Sequence, residues 1–216
     1  MSQSQKVAIV GLGNIGKAVA ANLAKSNRSF IAADRSIEKA TEIAKGFGAS
    51  ARPADIDTAV QEAGIFILAI PFPTIAQFLK QYASQLEGKI IIDPSNPIAP
   101  AETGGFKKII GQNESAGEIN AAALPTGAKL VKAFGTLGAA SLQGAAYQTP
   151  EEAVLFYATN DTNINNEVEQ LIKDCGFTPV RVGGIDQSIR LEVFGDLHQF
   201  GALGKTVTLQ EAKEKI

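Results

Sequence analysis

The chain has little of what most side-chain catalysis is built from. Its 216 residues include one cysteine, one histidine, one methionine and no tryptophan. The single thiol, Cys175, excludes an internal disulfide framework and a thiolate metal cluster. The single imidazole, His198, excludes a multi-histidine metal site within one chain, and no metal is expected. No G-x-S-x-G, H-E-x-x-H or C-x-x-C pattern is present. Charge of one sign is also missing. Twenty Lys and Arg face 22 Asp and Glu, a formal net charge of −2 with no basic block, which argues against nucleic acid as a partner. The longest apolar run, residues 65–72, is far short of the ~20 residues a membrane helix needs. The N-terminus has no charged segment followed by a long apolar one, so no signal peptide and no membrane partner are expected, and the reading is a cytoplasmic protein.

What is present is an ordinary globular composition, 45% hydrophobic and 19% charged. The length suits one domain, or one plus a small appendage. Residues 7–10 are continuously apolar, as a strand buried on both faces would be, and strand-like segments follow at 30–33, 65–70, 90–92, 129–134, 154–158 and 179–182. Helix-like stretches follow several of them, the first over residues 15–25. This alternation predicts an α/β protein with a mostly parallel sheet, flanking helices and a short C-terminal helical portion. We expect a main domain over 1–142, whose ligand the motif at its first strand exit indicates below, and a small portion over 143–216 that extends the same sheet and ends in a helix. The Pro- and Gly-rich stretch 94–111 reads as a long irregular connection. Residues 191–203 read as a helix with Leu191, Phe194 and Leu197 on one stripe. In a parallel sheet ligands gather at the carboxyl ends of the strands. That draws attention to Gly11, Asp34, Pro71, Asp93 and Gly135.

The first of these exits carries G-x-G-x-x-G, as Gly11, Leu12, Gly13, Asn14, Ile15 and Gly16. It directly follows a strand, opens a helix, and is followed by Asp34, 18 positions after Gly16. Gly11 permits the tight turn, Gly13 lets a pyrophosphate approach the backbone, and Gly16 lets helix and strand pack closely. The helix N-terminus offers free N–H groups to phosphates. A P-loop is disfavoured, because Lys17 is followed by Ala18 and not by a hydroxyl residue. The doubly wound, Rossmann-type sheet follows. Asp34 is placed to hold a ribose 2′-hydroxyl, which favours NAD(H). Arg35, Ser36 and Lys39 beside it are what a 2′-phosphate wants, which favours NADP(H). The residues leave both open.

Several segments in order, Gly13–Ala18, Asp34-Arg35 with Glu38-Lys39-Ala40, Ala69-Ile70-Pro71, Asp93–Pro97, Leu130–Thr136 and Gly176-Phe177 with Pro179-Val180, resemble the NADPH-dependent reductases of the deazaflavin coenzyme F420. That family is related to the cytosolic domain of the STEAP ferric reductases. The resemblance implies that Leu12 to Ile15 run along the pyrophosphate and that Asp34, Arg35 and Lys39 surround the adenosine. It also implies that Ile70-Pro71, Asn96-Pro97 and Ala133-Phe134 flank the nicotinamide, with Gly135 and Thr136 towards the second substrate. Family members usually carry Ser where this chain has Asp34, and many carry Asn where it has Gly135.

Direct hydride transfer between flat rings needs position more than acid–base groups. No catalytic constellation is identified. His198 is the lone candidate, lining an acceptor pocket and polarising a carbonyl. The expectation is an NAD(P)-dependent oxidoreductase that passes hydride to a planar acceptor, F420 or a flavin (FMN or FAD), with a homodimer compatible with the short C-terminal helix. Two alternatives stand beside it: a dinucleotide sensor without turnover, and an imine or ketone reductase.

Overall fold

The structure, a computed structural model, describes residues 5–216; residues 1–4, read above for a leader, lie outside them. The strands are β1 Val7–Val10, β2 Phe30–Ala33, β3 Ala51–Ala54, β4 Ile65–Leu68, β5 Ile90–Asp93, β6 Ile98–Pro100, β7 Phe106–Lys108, β8 Lys129–Lys132, β9 Val154–Tyr157 and β10 Thr178–Arg181. The helices are α1 Asn14–Lys25, α2 Ile37–Lys45, α3 Ile56–Glu62, α4 Phe72–Gln81, α5 Ala116–Ala122, α6 Ala139–Gly144, α7 Asn165–Asp174, α8 Ser188–Leu191 and α9 Leu209–Lys213. Six strands form one sheet in the order β3-β2-β1-β4-β5-β8, every pair parallel. The order reverses at β1, between β2 and β4, which is where an open α/β sheet leaves a crevice.

The continuous apolar strands are explained by two cores. Val7 and Ile9 of β1, with Ile65 and Ile67 of β4, pack beneath α1, α6 and α7. Ala8 and Val10, with Phe66 and Leu68, pack beneath residues of α3 and α4. Successive side chains point to opposite faces, so a sheet covered on both sides needs apolar residues at every position.

The chain past α6 attaches at the other edge. β9 and β10 form their own parallel pair, joined to the large sheet by one antiparallel bridge between Lys132 and Ala158. Alternate residues of β9 serve two cores: Leu155 and Tyr157 face the main one, while Val154 and Phe156 pack with Leu191, Leu197 and Val207.

Two local expectations are corrected. The stretch 94–111 is not wholly irregular: β6 and β7 pair as an antiparallel hairpin, turned by Gly104 and Gly105 at φ +88° and +74°. Residues 191–203 are not a helix. α8 stops at Leu191, Glu192 is extended (ψ 163°), and Phe194 is left-handed at φ +77°. Turns follow, folded so tightly that a Cβ on Gly201 would lie 1.9 Å from the Gly195 carbonyl oxygen. Leu191 and Leu197 are buried, but Phe194 is 54% exposed, so the apolar stripe does not face one side.

Candidate functional site

The site begins at the turn after β1. Gly11 takes φ +93°, and a Cβ there would meet the Ala69 carbonyl oxygen at 2.5 Å. A Cβ on Gly16 would lie 2.0 Å from the Gly11 carbonyl oxygen. Both glycines are therefore required by the turn itself. Gly13 is different. Its backbone is extended (φ −82°, ψ −159°), and a Cβ there would meet nothing within 4 Å. It is also the N-cap of α1 and gives no side-chain cap. The first turn of that helix thus keeps unclaimed N–H groups beside open space.

The open space is a cleft of about 640 Å³ across the exits of β1, β2 and β4. Gly11, Leu12, Gly13, Asp34, Arg35, Lys39, Ile70 and Pro71 line it. Asp34 is its most committed group. One carboxylate oxygen accepts the Leu12 N–H (3.2 Å) and the Lys39 ammonium (2.7 Å), and the other accepts the Ser36 N–H (3.4 Å). Burial works to raise the Asp34 pKa, but Lys39 and the two N–H groups outweigh it and hold it below the ordinary value. Sequence reasoning passed over the far wall, which Asp55, Asp57, Gln77, Phe78 and Tyr82 line. The Tyr82 hydroxyl donates to Asp57 at 2.7 Å, which, with burial first, pushes its pKa up to about 12. Asp57, Gln77 and Phe78 sit on α3 and α4, with Asp55 capping the start of α3 and Tyr82 the end of α4, helices with no motif.

The other expected residues lie elsewhere. Ser36 caps α2, accepting the Lys39 N–H. Asn14 and Ile15 open α1. Ala133, Phe134 and Thr136 are fully buried. Phe134 takes φ +64°, a left-handed conformation costing roughly 1–3 kcal/mol for a bulky residue. Asn96 donates to the Gly135 carbonyl at 3.0 Å and accepts the Val193 N–H at 2.7 Å. Pro97 follows at the start of the hairpin, its carbonyl accepting the Ile109 N–H.

His198 meets Gly135 but not the cleft. Its Nδ1 accepts the Phe200 N–H at 2.8 Å, so the proton sits on Nε2, which donates to the Gly135 carbonyl at 2.8 Å. Burial, aided by the Lys132 charge and opposed by the Gly135 carbonyl, pushes its pKa down to about 4. The ring is neutral at pH 7, with both nitrogens taken by backbone.

A cluster of buried charge lies beneath these bends. Lys132, at the end of β8, stands 3.0 Å from Asp93 and 3.6 Å from Glu192, all three no more than 2% exposed. Asp93 also accepts the Asn120 amide (2.9 Å) and the Ser95 N–H (2.8 Å). Burial raises the Glu192 pKa, against the pull of Lys132 and the N–H groups of Ala116 and Gly117. The sequence marks Asp93 only as a strand exit and singles out neither Lys132 nor Glu192. The one available signal was Lys132 placed between Val131 and Ala133 in a strand-like segment. Among the described residues no group of three or more His, Cys, Asp or Glu is placed to hold a metal, and no helix is long and apolar enough to cross a membrane.

Comparison with known proteins bears on this geometry. The chain is similar to an opine dehydrogenase of Arthrobacter sp. strain 1C, 32% identical over 130 residues, 52% of this chain and 35% of that protein. It is similar to the F420-dependent NADP reductase of Methanocaldococcus jannaschii, 32% identical over 105 residues, 44% of this chain and 47% of that one. The matches thus span about a third and about half of these curated relatives. Among solved structures it is similar to the hypothetical protein SMa0349 of Sinorhizobium meliloti, with a TM-score of 0.81 and 30% identity over 94% of this chain and 95% of that one. A family model described as NADP oxidoreductase, coenzyme F420-dependent, matches residues 6–97. That segment holds β1 to β5 and every residue named above as lining the cleft.

Proposed function

We propose that this protein binds a nicotinamide dinucleotide, NADP(H) or NAD(H), across the carboxyl edge of its sheet and transfers hydride between it and a planar acceptor of the deazaflavin type. The observation that carries this reading is the open backbone at Gly13, with uncapped α1 behind it and Asp34 at the next strand exit. Pyrophosphate can approach where no side chain stands, and the first N–H groups of α1 meet its charge. Asp34, already fixed by Leu12 and Lys39, presents its carboxylate to the adenosine ribose. The Lys39 ammonium and Arg35 border the same corner and suit a 2′-phosphate. Ile70 and Pro71 form an apolar wall at the β4 exit, against which a flat ring is held and from which water is excluded. The bound dinucleotide supplies the hydride; the residues supply position.

A second reading, reduction of a carbonyl or imine, is favoured by the likeness to an opine dehydrogenase. Calorimetric titration with NADPH and NADH tests the shared premise. Binding of one form at least ~10-fold tighter, about 1.4 kcal/mol, is the expected result. Binding of neither overturns both readings. Oxidation of the preferred cofactor in the presence of F420, or of a keto acid with an amine, then separates them.

A further inference from the structure

We infer that Lys132 is a positioning residue for the nicotinamide end of the site, an inference that rests on the reading above. In the sheet order β3-β2-β1-β4-β5-β8, the cleft occupies the exits of β2, β1 and β4. A dinucleotide with its adenosine at Asp34 and its pyrophosphate at Gly13 continues towards the exits of β5 and β8. Those exits are the Ala133–Gly135 bend, which follows Lys132 in the chain, and the Asp93–Asn96 turn, which is held by the Lys132 ammonium. It donates to Asp93 Oδ2 (3.0 Å) and to the Ser95 carbonyl (2.5 Å). Glu192 Oε1 lies 3.6 Å away. Glu192 is in turn fixed by the N–H groups of Ala116 and Gly117 (2.9 and 3.0 Å).

The next residue, Val193, donates to Asn96, and Asn96 donates to the Gly135 carbonyl, which His198 also holds. The circuit closes: the buried cation holds the β5 exit and faces Glu192, while Asn96 and His198 carry the link to the β8 exit. A stable core does not ask for this. Burying three charges costs more desolvation than apolar side chains of the same volume. The bend beside it is also under strain, with buried Phe134 at φ +64° and Gly135 so close to Pro94 that a Cβ would lie 2.6 Å from its carbonyl oxygen. Strain of this kind persists only where surrounding contacts over-determine it. Lys132 holds the β5 exit directly, and Asn96 of that exit holds the Gly135 carbonyl.

The test compares NADPH with 2′-phospho-ADP-ribose, which lacks only the nicotinamide; NADH and ADP-ribose replace them if that pair binds better. In Lys132→Met the Kd for the dinucleotide should rise at least 10-fold, while the Kd for the ring-less fragment stays within 2-fold. Glu192→Gln leaves Lys132 and Asp93 as a balanced pair and should show the same split, more weakly. It decides the matter if Lys132→Met does not fold. Lys132→Arg, which keeps the charge, should recover part of the dinucleotide affinity. Equal loss of both ligands in a folded variant, or no loss of either, overturns the inference. Failure of the wild type to bind either ligand overturns the underlying reading instead.

Discussion

Replacing Gly13 by alanine should remove dinucleotide binding and leave the fold standing, a separation that few core glycines allow. The extended backbone at Gly13 suits any residue. Its Cβ would enter open space, so no packing cost arises. Two small effects oppose each other. Alanine lowers the entropy of the unfolded chain, stabilising by roughly 0.4–1 kcal/mol. It is a poorer N-cap than glycine by a similar amount. The net change should lie within about 0.5 kcal/mol, or about 2 °C in Tm for a chain of this length. Gly16→Ala supplies the contrast. Its Cβ would fall 2.0 Å from the Gly11 carbonyl oxygen, and relieving that overlap costs about 1–3 kcal/mol or more. Thermal melts and titration with the preferred dinucleotide read the two quantities separately. For Gly13→Ala we expect a wild-type melt and a Kd at least 10-fold weaker, about 1.4 kcal/mol, because a methyl group stands where the phosphates approach. A wild-type Kd in a wild-type fold would refute the placement of the pyrophosphate. A large fall in Tm would refute the claim that this glycine serves the ligand and not the turn.

Two further outcomes follow from the geometry. Asp34→Ser removes the carboxylate at the ribose corner and frees the Lys39 ammonium it now binds. The NADPH/NADH affinity ratio should rise at least ~10-fold, and an unchanged ratio would mean that Asp34 does not read the ribose. His198 adds a pH dependence of stability. Its folded pKa of about 4 lies below the ordinary 6.5, so the unfolded chain takes up the proton first. The stability it contributes is whole above pH 6.5 and is lost as pH falls towards 4. Between pH 7.5 and 5 the wild type should lose about 2 kcal/mol more than His198→Gln, read by urea denaturation; parallel losses would show that the imidazole is not buried neutral.

Much of the fold was legible because burial on two faces leaves a plain trace. β1, β2 and the start of β4 are unbroken apolar runs, and the structure begins each of them where the sequence reading did. β3 was not legible. Its residues Ala51-Arg52-Pro53-Ala54 are partly exposed at the sheet edge, and proline is tolerated there because an edge strand need not donate every N–H. The turns after Leu191 misled for the opposite reason. A helical stripe of apolar residues is present, but Gly195 and Gly201 allow carbonyl contacts that no helix makes, and Leu197 N–H returns to the Arg190 carbonyl. In the candidate site, the residues that announce themselves are those whose spacing is set by local geometry. The far wall of the cleft and the buried charges carry no such spacing.

The sequence by itself determined the parallel sheet, the glycine turn and the acidic residue at the next strand exit. Each of these depends on contacts within a few tens of residues and on side-chain periodicity. Tertiary structure alone decided that Lys132, Asp93 and Glu192 share one buried volume, and that His198 holds the Gly135 carbonyl. Those partners come from β5, β8 and the C-terminal turns. Their meeting is fixed by the strand order and by the path of the chain after β10, and no local pattern records either.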